Sequence, residues 1–268
     1  MFQSIGFIGT GHMGSALARA AAKGAAGTPI WLANRSRERA EQLAGELGAQ
    51  VTDNGSIARV CSLIFLGVKP QMMAGVLGEL APILAGRKDR FVLASMAAGL
   101  SARTIQEMAG GKYPVIRLMP NTPAAIGAGV VQYCGLGATE EELSAFGTLL
   151  APAGLVDRVE ERLIDAASAV SGCGPAFAYL FLEALADGGV ACGLPRDKAL
   201  RYAAQMVRGA AEMVLESGKH PGELKDAVCS PGGTTIQGVR LLEEQGFRAA
   251  AMNAVIAAYE KTLELGKS

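Results

Sequence analysis

The 268-residue sequence predicts an α/β fold: a mostly parallel amino-terminal sheet covered by helices, followed by an all-helical carboxyl-terminal domain. Three observations predict it. The chain opens with a short apolar strand that runs into a glycine-rich turn and a helix. Apolar runs then alternate with helix-like segments, the pattern of parallel strands buried on both faces. From about residue 160 the strand signals stop, and apolar residues recur at helical spacing. The expected division is 1–160 for the dinucleotide-binding domain and 161–268 for the helical substrate-binding and dimerisation domain.

The first element is "SIGFIGTGHMGSALARAAA", strand, turn and helix in order. Gly9, Gly11 and Gly14 form G-x-G-x-x-G in the context that a dinucleotide fingerprint requires. Gly9 permits the tight turn, Gly11 lets backbone approach a pyrophosphate, and Gly14 lets the helix pack closely on the strand. The helix N-terminus then favours the phosphates. This makes the sheet Rossmann-type. The second strand, "PIWLAN", ends at Asn34 and is followed by Arg35, Ser36 and Arg37. A neutral amide and two cations suit the 2′-phosphate of NADPH, where NAD enzymes usually carry an acid; NADH remains possible.

Further strands are expected in "AQVT", "SLIFLGV", "RFVLASM", "YPVIRLMP", "GVVQYCG" and "GLVDRV", with a helix from about Thr139 to Leu150 between the last two. Loops after such strands line the ligand crevice. Lys69, directly after a strand, suits a cofactor-facing or loop-shaping role better than proton transfer. Asn121, between Pro120 and Pro123, reads equally as a turn residue or a substrate contact.

In the second half, Phe177, Leu180, Phe181, Ala184 and Leu185 mark a helix opened by Pro175, and Met252, Val255, Ile256, Tyr259 and Leu263 mark the last one. "PRDKALRYAAQMVRGAAEMVLES" is a third. Such apolar stripes point to a homodimer at least. Glu183 and Asp187 share a helix face, which salt bridges or solvation explain. The helical pattern breaks at Ser230-Pro231-Gly232-Gly233-Thr234-Thr235. Here Pro231 is expected to open a helix and the glycines to leave backbone N–H groups free, an anion nest for a carboxylate. A hydroxyl beside it suffices as a partner when the electrophile arrives already protonated, as a cyclic imine can.

Composition excludes several classes. The chain is half apolar with a formal net charge of zero and interspersed charges, which argues against disorder, nucleic acid and an anionic membrane. Five scattered Cys and two His suit neither a disulfide framework nor a zinc site, and no metal is expected. The first basic residue, Arg19, comes too late for a signal peptide. The apolar segment 166–182 is interrupted by "SGCGP" and reads as a loop and a buried helix rather than a membrane span. The expected compartment is the cytoplasm.

The blocks "SGCGPAFAYLFLEALADGGVACGLP" and "HPGELKDAVCSPGGTTIQGVRLLE", with "FIGTGHMGSALA", "LGVKP" and "RLMPNTPAAIGAG", resemble the Δ1-pyrroline-5-carboxylate reductase family over essentially the whole chain. The resemblance implies reduction of the ring C=N of pyrroline-5-carboxylate to L-proline by NAD(P)H. It also implies a helical dimerisation domain, often assembled into a decamer. By position, Ser230, Gly232, Gly233, Thr234 and Thr235 would hold the substrate carboxylate, with Thr235 near the imine nitrogen as the catalytic residue. Gly9, Gly11, Met13, Gly14, Asn34, Arg35, Asn54, Val68, Lys69 and Pro70 would surround the cofactor. Cys173, Phe177 and Met206 depart from the commoner Ser, Tyr and Thr. Two other readings stay open. A 3-hydroxyacid dehydrogenase would need a lysine acid, with Lys198 and Lys225 as weak candidates, and a silent NADP(H)-binding regulator would have no use for the nest.

Overall fold

The computed structural model describes residues 2–266. Eight strands form one sheet: β1 (Ile5–Ile8), β2 (Ile30–Ala33), β3 (Gln50–Val51), β4 (Leu63–Leu66), β5 (Val92–Ser95), β6 (Val115–Pro120), β7 (Gly129–Leu136) and β8 (Gly154–Arg158). Their order is β3-β2-β1-β4-β5-β6-β7-β8, parallel from β3 to β6. β7 turns antiparallel to β6, and β8 runs parallel to β7. Each strand expected from the sequence is present. The order reverses between β1 and β4, the switch point where open α/β sheets bind ligands.

The central strands β1, β4 and β5 are almost wholly apolar because both faces are buried. Phe7, Leu63 and Phe65 point into one core with Leu17, Leu43 and Phe146, whereas Ile8, Ile64 and Leu66 point into the other with Ile57, Met73 and Leu77. The first core is supplied by helices α1 (His12–Gly24), α2 (Arg37–Leu47) and α6 (Glu140–Leu150). The second is supplied by α3 (Asn54–Val60), α4 (Pro70–Ala85) and α5 (Ala102–Met108). Register pairs Phe7 with Phe65, and their rings stack with centroids 4.4 Å apart. Such a pair adds about 0.5–1.5 kcal/mol beyond its area burial. Helix α6 starts at a full capping box, with the Thr139 hydroxyl accepting from the Glu142 amide and Glu142 accepting from the Thr139 amide.

Two compact units result: one runs up to Cys173 and regains the chain from Ala258 on, and the other is Gly174–Ala257. Helix α7 (Glu161–Ser171) belongs to the first, because Ile164 packs with Met119 and Cys134 of the sheet. The second unit holds α8 (Gly174–Ala191), α9 (Arg196–Ser217), α10 (Pro221–Val228), α11 (Thr234–Glu244) and the first part of α12 (Phe247–Leu265). Asp187 pairs with Arg196, which accounts for that carboxylate.

The buried helix expected in 166–182 is not found. In α8 only Ala186 is buried, and Tyr179 and Leu180 are exposed. Among the described residues of the second unit, the buried apolar side chains are Ala186, Ala199 and Ala203 alone. An 18-residue window within Glu161–Ala191 has the mean hydropathy of a membrane span, 1.4, with 11% of the window buried, but the stretch breaks at Gly172–Cys173 into two helices. Several of its apolar side chains, Leu163, Val170, Tyr179 and Leu180 among them, are exposed in the single chain.

Candidate functional site

Three strand ends meet around the glycine turn. The Gly9 amide donates to the Ala33 carbonyl and the Gly67 amide to the Ile8 carbonyl, each at 2.8 Å. The ends of β1, β2 and β4 are thus stitched together at the switch point. Gly9 has φ +97°, and a Cβ there would lie 2.8 Å from the Gly67 carbonyl. A Cβ on Gly14 would run into the Gly9 carbonyl oxygen, so that glycine lets α1 close on the turn. Gly11 differs: a Cβ there would meet nothing within 4 Å. The fold's own packing explains Gly9 and Gly14. Open space in front of Gly11 is what a pyrophosphate approaching backbone would occupy.

Helix α1 begins at Gly11 with no side-chain cap and no acid in its first turn, so the amides of His12, Met13 and Gly14 keep their capacity for an anion. The contrast with α3 is instructive. There Asp53 caps the helix, accepting from the Ser56 amide at 2.8 Å, and Asn54 opens it. Asn34, at the end of β2, accepts from the Thr10 amide at 3.2 Å and donates to the Ser36 carbonyl at 3.0 Å. That leaves Arg35 exposed beside the turn, in no ion pair among the described residues, whereas Arg37 is engaged by Glu41. Val68 and Lys69 follow β4, and Lys69 is the exposed N-cap of α4 with Pro70 in its first turn. All the residues expected around a cofactor therefore sit at one carboxyl edge.

The second unit holds the other cluster. The Gly233 amide donates to the Ser230 carbonyl at 3.0 Å, closing a four-residue turn. Gly232 has φ +69° at its third position and Pro231 occupies its second, which defines a type II turn. Pro231 therefore does not open a helix, as expected, but sets the turn before it. Gly233 is the N-cap of α11, and Thr234 and Thr235 form its first turn, without an acid and without a side-chain cap. A Cβ on Gly233 would collide with the Ser230 hydroxyl. Ser230, Thr234 and Thr235 are exposed around free helix amides. The cluster can hold an anion. The lysines a hydroxyacid dehydrogenase would need do not supply a desolvated acid: Lys198 is exposed, and Lys225 is exposed and paired with Asp226 at 2.7 Å. His220 is spent as the N-cap of α10, its Nδ1 accepting from the Gly222 amide at 3.1 Å.

Comparison with known proteins decides between these readings. Residues 4–99 match the family model for NADP oxidoreductase, coenzyme F420-dependent, and residues 161–265 match that for pyrroline-5-carboxylate reductase dimerisation. A pyrroline-5-carboxylate reductase of Glycine max is 44% identical over 98% of this chain and 96% of its own length. The chain belongs to the pyrroline-5-carboxylate reductase family. The crystal structure of the Coxiella burnetii pyrroline-5-carboxylate reductase superposes with a TM-score of 0.90 at 31% identity, covering 99% of both chains. That of Plasmodium falciparum, which has NADP bound, gives 0.86 at 33% identity over 98% of both.

Within a pyrroline-5-carboxylate reductase scaffold, Asn121, which reads from sequence equally as a turn residue or a substrate contact, has a structural task. It is 7% exposed; its Nδ2 donates to the Ser171 carbonyl and its Oδ1 accepts from the Val130 amide, both at 2.9 Å. Gln132 donates to the Ser171 hydroxyl at 2.8 Å beside it. Together they pin the end of α7 to the sheet. Arg117, 4% exposed, pairs with Asp165 and lies 3.7 Å from Glu161, which in turn accepts the Ala102 amide at 2.7 Å. Sequence reading passed over this brace; the one signal for it was an arginine inside the apolar strand "VIRLMP". A cavity of about 480 Å³ lies at the opposite edge of the sheet, near Ser4, Ser62 and Arg90; of the charged groups lining it, Arg90 is paired with Glu142 and Asp89 with Arg87.

Proposed function

We propose that this chain reduces the ring C=N of L-1-pyrroline-5-carboxylate to L-proline, with NADPH as the preferred reductant, in the cytoplasm. The single observation that carries the reading is the pairing of two sites in one chain of this family: an open glycine turn for a pyrophosphate at Gly11 and a type II turn before α11 for a carboxylate. A bound dinucleotide supplies the hydride. The chain's own residues bind and orient.

Gly11, Met13 and Gly14 would hold the pyrophosphate through backbone amides, with Gly9, whose amide is bonded to the Ala33 carbonyl, shaping the turn beneath it. Asn34 and Arg35 would face the adenosine ribose, with Arg35 on a 2′-phosphate, and Asn54, Val68, Lys69 and Pro70 would flank the remainder. Ser230, Gly232, Gly233 and Thr234 would hold the substrate carboxylate at the start of α11. Thr235 would hydrogen-bond the ring nitrogen. The ring enters protonated on nitrogen, hydride adds to its imine carbon, and the C=N π pair becomes the nitrogen lone pair while the original proton stays in the N–H bond. No separate proton donor is then required at the ring nitrogen, and the catalytic effect comes chiefly from orientation.

Steady-state kinetics of Thr235→Ala and Thr235→Ser test the assignment. Loss of kcat/KM by tenfold or more in the alanine variant, with partial recovery in the serine variant, is expected; unchanged kcat and KM in both would remove Thr235 from the reaction. Gly233→Val should raise KM for the substrate most, because its side chain meets Ser230. The exposed apolar helices and the dimerisation match support a homodimer. Assembly of dimers into a decamer is tested by light scattering.

A further inference from the structure

Gly99 and Gly266 meet backbone to backbone. A Cβ on Gly99, whose φ is +75°, would lie 3.1 Å from the Gly266 amide nitrogen, and a Cβ on Gly266 would lie 3.0 Å from the Gly99 carbonyl oxygen. A side chain on either residue would crowd the other's backbone, which would have to give by a few tenths of an ångström, and the positive φ of Gly99 adds strain of its own. Gly99 belongs to the loop between β5 and α5, and Gly266 directly follows α12. The end of α12 therefore docks on the carboxyl edge of the sheet, inside the first compact unit.

Side chains of that loop are anchored, Ala97 in the second core and Ala98 and Leu100 against the apolar clusters, but its backbone is weakly bonded. Its first two amides make long bonds, Met96 to the Leu66 carbonyl at 3.5 Å and Ala97 to the Ser95 hydroxyl at 3.4 Å. Firm bonding resumes only where Ser101 caps α5, accepting from the Thr104 amide at 3.0 Å. Between these points, the Gly99–Gly266 contact holds the loop from outside.

The position of the loop gives the contact its significance. The strand order is β2-β1-β4-β5. With the adenosine ribose at the end of β2 and the pyrophosphate at the turn after β1, the nicotinamide half extends over β4 and β5. The loop of residues 96–100 lies in its path. We propose that the Gly99–Gly266 contact is a latch: the end of α12 positions the β5–α5 loop beneath the nicotinamide half of the cofactor. Gly99 and Gly266 are positioning residues, and the inference rests on the cofactor placement proposed above.

The test compares a whole cofactor with its adenosine half. Gly266→Val drives a branched side chain against the Gly99 carbonyl; a chain ending at Leu265 removes the contact without adding bulk. For each, kcat and KM for NADPH are measured beside the Kd for 2′,5′-ADP, which carries no nicotinamide. The latch predicts that kcat/KM for NADPH falls tenfold or more in Gly266→Val and about threefold or more in the shortened chain, with 2′,5′-ADP binding within twofold of the parent. Parent values of kcat/KM in both variants would overturn it. Equal loss of both ligands in both variants would also overturn it, since that marks a general structural role. Failure of 2′,5′-ADP to compete with NADPH in the parent enzyme would instead strike the cofactor placement, and the latch with it.

Discussion

Gly11→Ala and Gly14→Ala form a pair whose outcomes should diverge. Gly11 has φ −67° and ψ −170°, a conformation that alanine adopts freely, and its added methyl meets no atom within 4 Å. Losing glycine at an N-cap costs roughly 0.5–1 kcal/mol, and the reduced freedom of the unfolded chain returns a similar amount. The net change is within about 1 kcal/mol, or a Tm shift of no more than about 4 °C. The methyl instead fills the space a pyrophosphate needs. Losing one charge-assisted hydrogen bond from the α1 amides is worth about 1.5–3 kcal/mol, a Kd for NADPH raised roughly tenfold to hundredfold. Gly14→Ala drives its methyl into the Gly9 carbonyl. Overpacking of that kind costs about 1–3 kcal/mol or more, so Tm should fall by roughly 3–12 °C, with binding lost as the turn moves. Differential scanning fluorimetry and NADPH fluorescence titration read both. Gly11→Ala with a parental Kd would refute the assignment of the open space to the cofactor, and a Tm loss equal to that of Gly14→Ala would refute the packing argument.

Asn121→Ala should destabilise the protein by about 2–4 kcal/mol in urea unfolding, because the Val130 amide and Ser171 carbonyl lose their partner; KM for the substrate should stay within threefold. Arg35→Ala should raise KM for NADPH about tenfold and leave KM for NADH unchanged, whereas Arg37→Ala, already bound to Glu41, should do less. Burial opposes the charged form of Glu142, but hydrogen bonds from Arg90 and Thr139 outweigh it and hold its pKa below the usual carboxylate value. A depressed folded pKa gives stability that is present above the unfolded value of about 4.3 and lost as pH falls through the folded one. Glu142→Gln should therefore be less stable than the parent at pH 7, and the difference should close in acid titrations below about pH 4.

The sheet was legible because both of its faces are buried: "SLIFLGV" and "RFVLASM" admit few other readings, and glycine spacing located the turn. What sequence missed is non-local. Asn121 looked like a stiff-turn residue open to substrate, but its partners stand 9 and 50 positions along the chain. Pro231 was read as a helix opener because proline suits both a first helical turn and the second position of a type II turn, and only the positive φ of Gly232 separates them. The apolar segment 166–182 reads as a loop and a buried helix because apolar periodicity reports a face that wants covering, not whether its own chain covers it. Nothing local distinguishes Gly99 or Gly266 from an ordinary loop or helix-end glycine. Arg117 carried a signal, a cation inside a buried strand, which obliges a carboxylate nearby.

The helical unit, with three alanines as its buried apolar residues, has no private core to fall back on. If a second copy covers such a unit, its stability depends on protomer concentration as well as on the single molecule. Dilution, more than heat, is then the perturbation that exposes its weakness. A substitution on one of its apolar faces would be inherited by the partner, so that a defective chain mixed with sound ones lowers the activity of both.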